Sequence, residues 1–98
     1  MTTNLELANK LKDLHSAAAH SRPRQAYRVI SAKLEVWVHP FFDDPEVPVL
    51  DAWYNGVRVF YCHEDGCFDT PMGRNVPEWK SHVHSLHRNL TNKVRRAI

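Results

Sequence analysis

Ninety-eight residues, 43% hydrophobic and 24% charged, suit one small globular domain and exclude a disordered or fibrous chain. No apolar run approaches a membrane span, and the opening MTTNLELANKLKDLHS reads as neither a signal nor a transit peptide. An intracellular protein of cytoplasm or nucleus, with no membrane partner, is the expectation. The net charge of +2 is segregated: residues 1–42 carry six basic and three acidic side chains, 43–69 one and seven, and 70–98 six and one. That polarity suits a surface presenting a basic face to a polyanion.

Residues 4–20 are predicted to be helical. Leu7, Leu11, Leu14 and Ala18 recur at steps of four, three and four, the period of a one-sided apolar stripe. Ser21-Arg22-Pro23 ends the helix, because the residue before a proline avoids helical backbone angles. The stripe is expected to pack on the chain's own sheet, and the same spacing can serve a two-heptad homodimer seam.

Residues 25–39 read as a strand or a pair of strands. Leu34, Val36 and Val38 alternate with Lys33, Glu35 and Trp37, the two-residue period of a half-buried strand. Trp37 then points to the other face, where it is expected to cover a core surface such as the first helix. Residues 40–48 hold three prolines and form a loop, with Phe41 and Phe42 expected to pin it to the core. Val49–Tyr54 and Val57–Tyr61 flank Asn55-Gly56, a hairpin signal, since both turn positions need positive φ.

The second strand leads straight to Cys62. Cys67 follows with four residues between, and His82, His84 and His87 come after fourteen more. Two thiols followed by a histidine-bearing helix suit one tetrahedral zinc ion. In the absence of an export signal a metal clip is expected here rather than a disulfide. Gly66 permits the tight turn that would aim both sulfurs at one point. Residues 68–75 are predicted to be a loop, with Asn75 capping a helix from about Val76 to about Arg96. On that helix Trp79, Val83, Leu86, Leu90 and Val94 form one stripe. His82 lies about 60° to one side of Trp79 and His87 about 80° to the other. His84 lies about 140° away with Lys80, Arg88 and Arg95, on the solvated side. The expected ligands are Cys62, Cys67, His82 and His87, with His84 in place of His82 as the alternative and His63 a further candidate. His82 and His87 are five residues apart, about 140° on an ideal helix, so the set asks for local loosening near Ser85.

Phe60-x-Cys62, Cys67, Trp79 three residues before His82, and His87 together resemble the two-cysteine two-histidine zinc finger over about residues 58–88. The resemblance implies a zinc-bound hairpin-plus-helix unit. Pro71 stands where the family carries an aromatic, with Phe68, Met72 or Val76 available for that contact. The fourteen-residue loop compares with about twelve in the family pattern. The expected fold is α+β in one domain, 1–98: an N-terminal helix (1–21), a small antiparallel sheet with a proline-rich loop (25–57), and a finger with an extended C-terminal helix (58–98).

In this family base contacts come from the helix start, here Asn75, Pro77, Glu78 and Ser81, none a long basic side chain. Lys80, His84, Arg88, Lys93, Arg95 and Arg96 instead form a basic stripe suited to phosphates, extendable by Arg22, Arg24 and Arg28. The expected function is nucleic-acid binding, DNA more than RNA, in a transcription-regulating role. The alternative is a protein-interaction adaptor using the acidic 43–69 segment or Phe41-Phe42. Four protein ligands leave a zinc no open position, so no enzyme is expected.

Overall fold

A computed structural model describes residues 3–21, 31–39, 49–63 and 65–96, the side chains of Ser21 and 93–96 excepted. The element order is α1 (Asn4–Ser21), β1 (Leu34–Val38), β2 (Leu50–Tyr54), β3 (Val57–His63), β4 (Gly66–Asp69), α2 (Pro71–Asn75) and α3 (Glu78–Arg96). The fold is α+β, as the alternation and helical periods imply. The proline-rich loop with Phe41 and Phe42, Arg22, Arg24 and Arg28, and any strand before Ser31 lie outside the described residues.

The sheet is an antiparallel meander in the order β1-β2-β3-β4. Its central hairpin turns on Asn55 and Gly56, whose φ values of 52° and 81° are the left-handed pair a two-residue turn requires. Asn55 N–H also donates to Lys33 O at 2.8 Å, tying the turn to the start of β1. The β1–β2 register sets Val36 opposite Ala52, Glu35 opposite Trp53 and Trp37 opposite Asp51.

One face of the sheet is apolar. Leu34, Val36, Leu50, Ala52, Phe60 and Cys62 are buried there with Leu7, Ala8, Leu11 and Leu14 of α1 and with Trp79 and Val83 of α3. The α1 stripe is thus used within the chain: α1 lies across the sheet and α3 packs beside α1. Lys10 meets His84 and Asp13 meets His87, so both helices ascend together and run in the same direction.

Two expectations change. Residues 68–75 are not a loop: β4 pairs with β3 through Asp69, and α2 follows. Pro71 is no breaker there, because it occupies the first turn of α2, where its missing N–H costs nothing. Thr70 caps α2, accepting Gly73 N–H at 3.0 Å; Asn75 is the last residue of α2 and does not cap the long helix α3, which begins at Glu78. Trp37 does face away from Leu34 and Val36, but among the described residues no helix packs on that side; Trp53 shares that outer face.

Trp79 centres the core. It is fully buried, its ring lies 5.4 Å from that of Phe60, and its Nε1–H donates to Gly73 O at 2.9 Å. Of the three residues that stood in for the missing aromatic, Phe68 and Met72 are 41% and 44% exposed, while Val76 packs against the core.

Candidate nucleic-acid interface

The cysteines come together by strand pairing. Cys62 and Cys67 are register partners across β3 and β4, one pair back from His63 and Gly66, and Gly66 takes φ 128°. Cys62 is fully buried. Burial, then the adjacent Cys67, then the charge of Asp51 push its thiol pKa far up, which keeps it a protonated, hydrophobe-like group.

The imidazoles go elsewhere. His82 Nε2 lies 2.9 Å from Ser31 Oγ, with its ring 5.8 Å from that of Tyr54. Ser31 Oγ also accepts from Lys33 N–H and Leu34 N–H, so His82 is tied to the lead-in of β1. His87 Nε2 lies 2.9 Å from Asp13 Oδ2 on α1, and His63 is exposed at the end of β3. The cause is the angular step noted above. Five residues of helix send the two rings to opposite flanks of a ridge whose crest, Val83 and Leu86, packs into the core. Among the described residues no group of three or more His, Cys, Asp or Glu side chains converges as a metal site. As arranged, Cys62, Cys67, His82 and His87 do not close on one zinc position.

What the two helices do bring together is positive charge. Lys10 Nζ donates to His84 Nδ1 at 3.1 Å, so the acceptor nitrogen carries no proton. Burial, then the positive fields of Lys10, Arg88, His87 and Lys80, lower the His84 pKa. His84 is therefore not on a solvated outer stripe; α1 packs on that side and contributes Lys10, which is not among the basic residues expected from the helix pattern. No local pattern marks Lys10, because its neighbour is 74 residues away. Lys80 is partly neutralised, its Nζ 3.0 Å from Asp69 Oδ2. Arg88 is exposed, and among the described residues no carboxylate pairs with Arg88 or Lys10. Lys93, Arg95 and Arg96 continue the same helix, and their side chains lie outside the described residues.

These histidines also set an acid limit. Burial lowers the pKa of His15, whose Nε2 is buried without a hydrogen-bond partner among the described residues; burial and Lys33 lower that of His82. With His84 they resist protonation in the folded state, so the unfolded chain binds protons more readily just below the ordinary value of 6.5. Their stabilising effect is complete above that value and is lost as pH falls through it towards the lowered folded values. Thermal melts at about pH 7.5 and about pH 5 should show the lower Tm at the acid end, well before carboxylates protonate. An unchanged Tm across that interval would refute the assignment.

Comparison of the chain with protein-family models, curated proteins and solved structures finds no match.

Proposed function

We propose that the protein binds nucleic acid, DNA in particular, by phosphate contacts on the face shared by α1 and α3. One observation carries this reading: Lys10 and Arg88, two cations without carboxylate partners among the described residues, flank His84 across the helix seam. A phosphate placed there meets donors from both helices. Lys80 can follow by exchanging Asp69 for the ligand, and the last turns of α3 extend the basic track. Contacts of this type fix register on a duplex and carry little base information. A regulatory role would then need a second copy or a partner for sequence choice.

Fluorescence anisotropy with a short duplex, repeated over a salt series, tests this. Lys10→Gln with Arg88→Gln should weaken binding several-fold and flatten the log-affinity against log-salt slope by about 2, roughly 0.9 per lost phosphate contact. Binding and slope both unaltered by the double substitution would remove the proposal.

A zinc-stabilised finger is the second reading, and the facing thiols of Cys62 and Cys67 favour it. His82 would have to leave Ser31, and His87 Asp13, to complete the site. Metal content of the purified protein, with melting before and after chelation, decides between them. Stoichiometric zinc with a large fall in Tm on chelation supports the finger; metal-free protein of unchanged Tm retires it.

A further inference from the structure

The outer face of the sheet carries a second constellation, away from the helices. Glu35 stands opposite Trp53 and Trp37 opposite Asp51 on adjacent antiparallel strands. The four side chains therefore form a square, with indoles on one diagonal and carboxylates on the other. Diagonal neighbours on such a pair are rooted about 7–8 Å apart, within reach of aromatic side chains, so both indoles can border one bound group. A cavity of about 440 Å³ opens there, lined by Glu35, Trp37, His39, Asp51, Trp53 and Gly56. That volume falls within the range of small-ligand sites, about 300–1,000 Å³.

The charges within it are unequal. Asp51 is already satisfied, with Arg58 Nε donating to Oδ1 at 2.9 Å and His39 Nε2 lying 2.7 Å from Oδ2. Glu35 has no hydrogen-bond or ion-pair partner among the described residues, so the slot retains an uncompensated negative charge beside two electron-rich ring faces. Gly56, at the hairpin tip, presents no side chain to its mouth.

We propose that the Trp37–Trp53 slot with Glu35 binds a methylated ammonium group, either on a small molecule or on a modified lysine side chain. Indole faces attract such cations when these lie within about 6 Å of the ring centroid. Methyl groups shed water more readily than a bare ammonium, which favours their entry between two indoles. A phosphorylated ligand is disfavoured, because its charge would meet Glu35 at close range. A neutral apolar ligand would desolvate Glu35 without pairing it. The site is separate from Lys10 and Arg88, so it stands or falls independently of nucleic-acid binding.

Tryptophan fluorescence reads this directly, with buried Trp79 as a steady background. Choline and a short trimethyl-lysine peptide are titrated beside the uncharged tert-butyl isostere of choline and the unmethylated peptide. Saturable quenching by either cation is expected, with the neutral isostere weaker by roughly two- to thirtyfold, the span of cation–π energies. Glu35→Gln should weaken the cation several-fold while leaving thermal unfolding intact, and Trp37→Leu should abolish the signal. Choline and its neutral isostere binding equally, Glu35→Gln having no effect, or a nucleoside monophosphate saturating the site where the cations do not, would each overturn the proposal. The preferred cation identifies the source: free choline, or the modified peptide.

Discussion

Replacing Gly73 with alanine is expected to cost about 3 kcal/mol or more, as read by urea unfolding against the parent chain. A Cβ at this position would sit 1.9 Å from Val59 O and 2.8 Å from Val59 C, an overlap with backbone that no rotamer change relieves. Val59 O also accepts Thr70 N–H at 3.1 Å, and Thr70 Oγ1 donates to Arg58 O at 2.7 Å. Lifting α2 away from β3 therefore breaks the two bonds that tie its capping residue to β3. It also displaces Gly73 O, the partner of Trp79. Domains of this kind hold only about 5–15 kcal/mol in total, so loss of cooperative unfolding is within the expected range. A variant within about 0.5 kcal/mol of the parent would show that α2 does not seat on β3 this closely.

Trp79→Ala is the second large effect, expected at about 3–5 kcal/mol, since a fully buried indole leaves a cavity that its neighbours fill only in part. Trp79→Phe separates the contributions. It keeps a ring against Phe60 but leaves Gly73 O without its indole donor, a loss of about 1–3 kcal/mol. Near-ultraviolet circular dichroism and denaturant midpoints measure both. Equal losses for the two variants would assign the whole effect to the hydrogen bond and none to packing.

Local chemistry was legible in the sequence and layer geometry was not. Asn55-Gly56 announces its hairpin because turn angles depend on those two residues alone. The α1 leucines and the Trp79 stripe announce buried faces for the same reason, through their period. Pro71 and Gly73 misled, because each has two uses. Proline ends helices but also opens them, and glycine loosens a loop but also permits a close backbone approach. Alternation placed Trp37 opposite Val36 in facing, yet it could not tell how many layers the domain has. For the histidines, the helical wheel put His82 and His87 on opposite flanks, as found. The finger resemblance drew them towards one metal, and Ser31 and Asp13, their partners in the structure, are remote in sequence. Lys10 beside His84 was hidden for that reason too.

The seam between α1 and α3 has a kinetic meaning. Every strand of the meander pairs with its neighbour in sequence, so the sheet can assemble by short loop closures. The two helices instead join positions 74 residues apart, a closure that carries a larger entropic cost and gains from being deferred until the sheet exists. The zipper between them is then the last part to shut and the first to breathe. Any anion held across Lys10 and Arg88 acts as a latch on that final step, slowing the opening of the chain from its newest joint.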